Sequence, residues 1–240
     1  MHVPAWLATF DPAFAEAVAA RLRPGAGRRV ATFDADGTLW SEDIGEAFLR
    51  WLAAGGLLPR QGGAAEVWDE YERRVRESRV EGYTWAVQIM AGLREEILRG
   101  WCRQLAAAWP NYRPEMADLR AGLEAEGFEI WIVSASNRWI VEAAAPTLGI
   151  PAERVLGIEV QVADGLLSPR PVYPRPCGQG KVDAIQKHIG VKPVFAFGDS
   201  MGDFEMLGFA DQPLVVGRRD RPDNELVRQA AGRGWPVHRF

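Results

Sequence analysis

The chain has 240 residues, of which 48% are hydrophobic and 25% are charged, and its formal net charge is -4 at pH 7. These values are typical of a globular protein with a sizeable core, and they give no case for nucleic acid or an anionic membrane as the main partner. The sequence lacks an uncharged apolar stretch of the roughly 18 residues that span a bilayer, which excludes a membrane-spanning helix.

The first predicted elements are one helix and one strand. Phe14, Val18 and Leu22 have helical spacing and predict an opening helix that Pro24–Gly25 ends. The run at 28–33 predicts the first core strand. Acidic residues near the N-terminus take the place of the basic-then-apolar pattern of a secretory signal, so we expect no signal peptide.

Two carboxylates stand where this strand runs into a turn. Residues i and i+2 of an extended chain face the same side, so Asp34 and Asp36 can converge on one pocket at the strand end. Gly37 permits a sharp turn and Thr38 supplies a hydroxyl. Clustered carboxylates repel one another and are commonly compensated by a metal ion or another cation. The alternative is an acidic turn that merely ends the strand.

Helical periodicity replaces strand signals between residues 40 and 110. One amphipathic stripe lies within 44–52, a second within 67–75, and a third helix is predicted over 84–98. Glycine pairs punctuate these segments. We therefore predict a helical cap domain at 44–110, inserted in a core domain formed by 1–43 and 111–240.

Strands and helices alternate in the rest of the chain. The helices are predicted at 116–126, 137–148 and 181–189, and the strands at 128–133, 194–197 and 214–216. Asp164–Gly165, flanked by 155–162 and 166–167, is a hairpin signal. This alternation predicts the α/β class, with a doubly wound, Rossmann-like parallel sheet as the core.

Polar residues follow the predicted strands or begin a helix. Ser134 follows the strand at 128–133, Lys181 begins a helix, and Asp199 follows the strand at 194–197, with Asp203 a few residues later. Ligands of an open parallel sheet bind beyond the carboxyl ends of its strands. These residues can therefore share one crevice with the first carboxylate pair.

The order of these motifs resembles the haloacid dehalogenase-like phosphatase superfamily. The resemblance covers roughly residues 28 to 217, and the segment from Ser134 to Asp203 is most similar to the phosphoserine phosphatase-type subfamily. It implies that Asp34 is the nucleophile that forms an aspartyl-phosphate. It also implies that Asp36 is the general acid and then the general base, and that Asp36 binds a metal through its backbone carbonyl.

The resemblance further implies a metal site and a phosphate site. Mg²⁺ suits oxygen ligands, and Asp199 is expected to bind it together with Asp34. Asp203 is expected either to bind the metal through water or to anchor the site. Phosphate-binding groups are expected at the turns and at the helix start, and they belong to Thr38, Ser134, Ala135 and Lys181. The alternatives are a helix N-cap for Ser134 or Asp203 and a solvated lysine for Lys181.

The substrate is predicted less narrowly than the chemistry. By resemblance, an acidic residue after the first motif binds a substrate amine, and Asp43 has better spacing for this role than Glu42. Aromatic residues of the cap can also hold an ammonium group, although such residues at helical spacing commonly form core. They are Trp40, Phe48, Trp51, Trp68, Tyr71, Tyr83, Trp85 and Trp101. Phosphoserine, phosphocholine and phosphoethanolamine are the candidate substrates.

Two further functions stay open, a phosphomutase or phosphotransferase of the same superfamily and a non-catalytic phosphate-binding protein. The two cysteines, Cys102 and Cys177, provide neither a disulfide framework nor a metal cluster, and we expect reduced thiols. We therefore expect a cytoplasmic monomer or homodimer that acts on a small phosphorylated metabolite, without nucleic-acid or membrane partners.

Overall fold

The computed structural model describes residues 3–23, 25, 27–59, 62–220, 222 and 224–240. Pro24, where the sequence predicts the end of the first helix, lies outside these residues. The strands are β1 (Val30–Phe33), β2 (Glu129–Asn137), β3 (Val155–Ile158), β4 (Val160–Ala163), β5 (Leu166–Pro171), β6 (Phe195–Gly198), β7 (Gln212–Gly217) and β8 (Val237–Arg239).

The α-helices alternate with these strands in the second half of the chain. They are α1 (Pro12–Ala19), α2 (Ile44–Ala54), α3 (Ala64–Glu77), α4 (Arg79–Gln88), α5 (Glu95–Ala107), α6 (Pro114–Ala125), α7 (Arg138–Ala144), α8 (Gln179–Ala184), α9 (Phe204–Phe209) and α10 (Glu225–Arg233). A π-helical turn, Ile185–Ile189, extends α8. None of the described helices is long and apolar enough to cross a bilayer.

Six parallel strands form the central sheet in the order β3-β2-β1-β6-β7-β8. Both faces of this sheet are buried, which explains why its strands read as nearly continuous apolar runs. In β6, Phe195 and Phe197 pack into one core cluster with α1, α6 and α7, whereas Ala196 packs into a second cluster with α9 and α10. The predicted doubly wound, Rossmann-like α/β fold is confirmed.

A separate hairpin follows the third strand of the sheet. β4 pairs antiparallel with β5, and Asp164 and Gly165 both have positive φ, at 52° and 74°, as the predicted turn requires. The flanking segment was expected to be one strand over 155–162. It is instead two strands, because 155–158 pairs with β2 in the central sheet while 160–163 pairs with β5.

The opening helix α1 ends at Ala19, so Leu22 lies beyond it, and three further boundaries differ from the sequence prediction. The predicted helix over 84–98 is wrong, because α4 ends at Gln88, α5 begins at Glu95 and Gly92 has a φ of 95° between them. The second strand continues to Asn137 rather than ending at 133. The helix predicted over 137–148 becomes α7 and a 3-10 helix, Ala145–Leu148.

Helices α2–α5 lie in the chain between β1 and α6, and their connection contacts the hairpin. Backbone hydrogen bonds join Gly92 N to Leu167 O at 2.8 Å, Leu167 N to Leu93 O at 2.9 Å, and Glu95 N to Gly165 O at 2.9 Å. The α4–α5 connection is therefore fixed to β5. Residues of α2, α3 and α4 line a cavity beside the carboxyl end of β1.

Candidate active site

A buried lysine joins two aspartates at the carboxyl edge of the sheet. Lys181, near the start of α8, is 1% exposed, and its Nζ donates to Asp34 Oδ1 and to Asp203 Oδ1, each at 2.6 Å. Asp34 directly follows β1, and its backbone N–H donates to Phe197 O of β6 at 2.8 Å. These contacts exclude the alternative of a solvated lysine at position 181.

The turn after β6 is organised around the other oxygen of Asp203. Asp203 Oδ2 accepts from the backbone N–H groups of Asp199 at 3.2 Å and Ser200 at 3.0 Å. Gly198 allows this close turn, since a Cβ atom there would lie 2.5 Å from Asp203 Cβ. Asp203 therefore connects the turn to Lys181, and through Lys181 to Asp34.

Three carboxylates converge without enough positive charge to balance them. Asp34, Asp199 and Asp203 each place one oxygen within 4.8 Å of the others, and Lys181 supplies one positive charge. Burial, followed by the charge of Asp203, raises the pKa of Asp34 to about 7. Burial and the charge of Asp34 raise the pKa of Asp199 as well. A cluster of buried oxygen ligands with excess negative charge fits a hard divalent cation.

Asp36 has different surroundings from Asp34. Its Oδ1 accepts from Trp40 Nε1 at 2.7 Å and from the backbone N–H of Ile44 at 2.8 Å, and its Oδ2 accepts from Ser136 Oγ at 2.7 Å. Burial raises the pKa of Asp36, and these three donors oppose the increase. The side chain is thus held by its own turn, by the first residue of α2 and by the end of β2.

Sequence reasoning missed Trp40 and Ser136 as partners of Asp36. The signal for Ser136 was its position two residues after Ser134, which places both on the same side of an extended chain. The predicted strand ends at 133, so the prediction does not extend the alternation of strand side chains to Ser134 and Ser136. In the structure Ser134 and Ser136 belong to β2, and Ser134 Oγ accepts from Ser136 N at 3.0 Å.

The residues predicted to bind phosphate occupy different depths. Ser134 and Thr38 are fully buried, whereas Ala135 lines the cavity. Ser134 does not cap α7, because Asn137 is its N-cap and accepts from Trp139 N at 3.0 Å. Within the described ranges, Thr38 Oγ1 has no hydrogen-bond partner. An unsatisfied buried hydroxyl is costly, but neither Thr38 nor Ser134 is among the residues that line the cavity.

The cavity has a volume of about 300 Å³ and reaches from these aspartates to α2, α3 and α4. Asp43 is the N-cap of α2, where its Oδ1 accepts from Glu46 N at 2.7 Å. Glu46 Oε1 accepts from Tyr71 OH at 3.1 Å. Glu42 lies 4.0 Å from Arg218. Acidic groups therefore cluster at the end of the cavity nearest α2.

Few of the aromatic residues suggested for ammonium binding reach this cavity. Tyr71 and Tyr83 line it. Trp40 and Phe48 are fully buried in the core, and Trp68 lies under the guanidinium of Arg50, 3.1 Å from the ring centre. An aromatic contribution to substrate binding is thus limited to the two tyrosines among the residues that the structure describes.

Neither cysteine has the environment of a reactive thiolate. Cys177 lines the cavity, but burial raises the pKa of its thiol. Cys102 is buried in the core beside α7, and burial raises its pKa above the usual range as well. Both thiols are therefore protonated near neutral pH, which agrees with the prediction of free, reduced cysteines.

Comparison with known proteins agrees with this architecture and site. The chain matches the family described as haloacid dehalogenase-like hydrolase over residues 31–208, and it therefore belongs to that family. A curated relative, histidinol-phosphatase of Neisseria meningitidis, is 23% identical over 230 residues, which cover 89% of this chain and 99% of the relative. The predicted enzyme class, a phosphatase, is confirmed.

Two solved structures share the fold. A protein of unknown function from Bordetella pertussis has a TM-score of 0.73 at 22% identity, and the match covers 88% of this chain and 98% of that one. A substrate-bound phosphoserine phosphatase has a TM-score of 0.55 at 15% identity, with 85% of this chain and 91% of that one covered. At these identities the likeness establishes the common fold.

Proposed function

We propose that the protein is a Mg²⁺-dependent phosphatase of the phosphoserine phosphatase type, which hydrolyses a small phosphomonoester through an aspartyl-phosphate on Asp34. The observation that carries this proposal is the buried Lys181 between Asp34 and Asp203, with Asp199 beside them. Asp34, Asp199 and Asp203, with the backbone carbonyl of Asp36, would hold the Mg²⁺. When bound, this ion neutralises negative charge on the phosphoryl oxygens and on the nucleophile.

The first displacement uses both members of the first motif. A carboxylate oxygen of Asp34 attacks phosphorus while the bond from phosphorus to the ester oxygen breaks. The carboxylic acid of Asp36 gives its proton to that leaving oxygen, which departs as an alcohol. Lys181 orients Asp34 by holding Oδ1, so that the carboxylate keeps one geometry.

The second displacement regenerates the enzyme. Asp36, now a carboxylate, takes a proton from water as the water oxygen attacks the phosphorus of the aspartyl-phosphate. The bond between phosphorus and Asp34 breaks and inorganic phosphate leaves. Thr38, Ser134 and the backbone N–H of Ala135 are the proposed additional donors to the phosphoryl oxygens, and the position of Ala135 in the cavity lining supports its assignment.

We further propose that residues 44–110 act as a cap that selects the substrate. The acidic end of the cavity, with Asp43 and Glu46, supports a substrate that carries an amine. Arg79 also lines the cavity, and none of the described carboxylates lies within ion-pair distance of it. A substrate with both an amine and a carboxylate, such as phosphoserine, would satisfy both ends. The free cysteines support a cytoplasmic enzyme.

The test is phosphate release from a panel of phosphomonoesters, with and without Mg²⁺. The panel contains phosphoserine, phosphoethanolamine, phosphocholine, glycerol phosphate and histidinol phosphate, the last because of the name of the N. meningitidis relative. We expect Mg²⁺-dependent release that falls by about three orders of magnitude or more in Asp34→Asn. The exposed Asp118 of α6 provides the matched control, Asp118→Asn, which should keep full activity.

Each other outcome has a distinct meaning. Activity that survives in Asp34→Asn would contradict the nucleophile assignment. Equal turnover of glycerol phosphate and the amine-bearing esters would contradict the amine preference while leaving the phosphatase intact. Transfer of phosphate to an added sugar phosphate, without release, would identify a mutase instead.

A further inference from the structure

A second cavity, of about 410 Å³, lies next to the candidate active site and shares Ser41 with it. Its lining is rich in arginine, with Arg113 at the start of α6, Arg219 after β7 and Arg239 in β8. The proposed reaction uses none of these three residues. Their guanidinium groups are planar donors suited to phosphate and carboxylate oxygens.

Arg113 is a buried cation that makes no ion pair with the described carboxylates, and burial lowers the pKa of its guanidinium although the charges of Asp199, Glu115 and Glu42 oppose this. It is 9% exposed, and no carboxylate of the described residues lies within 4 Å of its guanidinium nitrogens. Its Nε has no hydrogen-bond acceptor among the described residues. Its Nη2 donates to Gly37 O at the long distance of 3.4 Å. One face of the guanidinium stacks over the Phe240 ring at 4.1 Å. A buried charge in this condition is stabilised by an incoming anion.

The N-terminus of α6 faces the same cavity. Arg113, Pro114 and Glu115 are the N-cap and the first two residues of this 12-residue helix, and all three line the cavity. No side chain caps the helix at Arg113. The positive end of the helix dipole therefore adds to the charge of the arginines, an arrangement that favours anions.

The cavity remains positive when its other titratable groups are counted. Glu115 is the acidic side chain among the lining residues. His238 contributes little positive charge, because burial lowers its pKa although Asp11 Oδ2 lies 3.0 Å from its Nδ1. Three arginines therefore lie near two carboxylates, Glu115 in the lining and Asp11, whose Oδ2 accepts from the backbone N–H of Arg239 at 2.9 Å. Ser41, Asn111 and Tyr112 supply neutral polar groups at the cavity wall.

We propose that this second cavity binds the phosphate group of a small anion, held by Arg113, Arg219 and Arg239 at the N-terminus of α6. The ligand is either free inorganic phosphate or the phosphate of a small metabolite. The binding itself does not depend on the proposed function, since no residue of the proposed catalytic set belongs to this arginine group.

The experiment measures binding of inorganic phosphate by isothermal titration calorimetry in EDTA, with the full chain. The variant is Arg219→Ala/Arg239→Ala, which leaves the buried Arg113 and its loop contacts intact. The control is Arg103→Ala/Arg170→Ala, which removes two exposed arginines elsewhere and so matches the change in net charge. We expect the variant to lose one equivalent of bound phosphate, or to bind it at least about 10-fold more weakly. The control should bind as the native chain does.

We expect both double variants to retain native turnover, because none of the four arginines belongs to the proposed catalytic machinery. Phosphate release from the best substrate measures this. A parallel titration with glycerol phosphate distinguishes the sources: competition for the lost site identifies a phosphorylated metabolite, and failure to compete identifies free phosphate. Equal stoichiometry and affinity for inorganic phosphate in the native chain and in Arg219→Ala/Arg239→Ala would overturn the proposal. A loss of the same size in the control would also overturn it.

Discussion

At the scale of single residues, the two aspartates of the first motif have different hydrogen-bond partners. Asp34 contacts a cation, Lys181, whereas Asp36 receives three neutral donors from Trp40, Ile44 and Ser136. Burial raises the pKa of Asp34, and the charge of Lys181 opposes that rise and so favours the ionised form that the proposed nucleophile requires. Neutral donors fix the orientation of a carboxyl group and permit it to gain and lose a proton.

Ser136→Ala tests the orientation of Asp36, the proposed proton donor. Loss of one hydrogen bond to Asp36 should lower kcat/KM for alkyl phosphates by about 5- to 10-fold, which corresponds to about 1 to 1.4 kcal/mol. Aryl phosphates should lose about 2-fold or less, because an aryloxide leaves without full protonation. kcat/KM is the appropriate quantity, since it reports the first displacement.

The matched control is Ser168→Ala, in β5, where the hydroxyl accepts a local backbone N–H from Arg170 at 3.1 Å and has no other partner among the described residues. It should leave both substrate classes unchanged. An equal loss for alkyl and aryl phosphates in Ser136→Ala would mean that the serine supports the structure of the site and not proton transfer.

The residues with the clearest chemistry were the most predictable ones. Asp34, Lys181, Asp199 and Asp203 follow strands or begin a helix, and parallel strands bring such positions to one edge. Ser136 and Trp40 were not predictable in this way, because their contacts with Asp36 depend on how far β2 extends and on the path of the turn at 37–40. Neither property has a strong local signal in the sequence.

At the scale of elements, α2 packs closely against the end of β2 at Gly45. A Cβ atom on Gly45 would lie 2.5 Å from Ser136 Oγ and 3.3 Å from Asp43 Oδ1. Gly45 is therefore required by the close approach of the helix to the strand, although glycine lowers helix stability by roughly 0.5 to 1 kcal/mol relative to alanine.

Gly45→Ala should lower kcat by about 10-fold or more, because Ser136 or the start of α2 must move away from Asp36. Gly100→Ala in α5 is the control, since the nearest atom to its new Cβ, Arg103 Nη2, is 3.9 Å away. Gly100→Ala should keep full activity and raise the free energy of unfolding by about 0.5 to 1 kcal/mol. Urea denaturation and initial rates measure the two effects. Native kcat in Gly45→Ala would show that this contact can relax without consequence.

Elements that are defined by local pattern were predicted well, and those that depend on pairing were not. Continuous apolar runs identified β1 and β6 because both faces of the sheet are buried. The segment 155–162 reads as one strand locally, yet its halves pair with different partners. The break between α4 and α5 follows from the hydrogen bonds to β5, which no periodicity within 84–98 reveals.

At the scale of the whole molecule, the buried carboxylates connect metal binding to stability. Burial raises the pKa of Asp34 from 3.8 to about 7. Between these values the unfolded chain has released the proton and the folded chain still holds it. Asp34 therefore contributes stability to the metal-free protein that is lost as the pH rises from about 4 to about 7, and no more is lost from this group above that window.

Mg²⁺ should reverse this trend because it replaces the bound proton. At saturating Mg²⁺ we expect an increase in Tm of about 5 to 10 °C at pH 8, and less than about half of that at pH 5.5, where protons compete for Asp34. Thermal unfolding at both pH values, with EDTA as the reference, measures the effect. Asp199→Asn should abolish the increase and Asp118→Asn should retain it. Equal increases at the two pH values would contradict proton competition.

The hydrogen bonds between the α4–α5 connection and β5 also bear on how the proposed cap, residues 44–110, could be transferred to a relative. A chimera that transplants only residues 44–110 into a relative separates Gly92, Leu93 and Glu95 from their partners Leu167 and Gly165. A graft that also carries residues 160–171 keeps all three bonds. For recombination, the transferable unit of this protein therefore consists of two segments that are distant in the chain, and the hairpin travels with the helices.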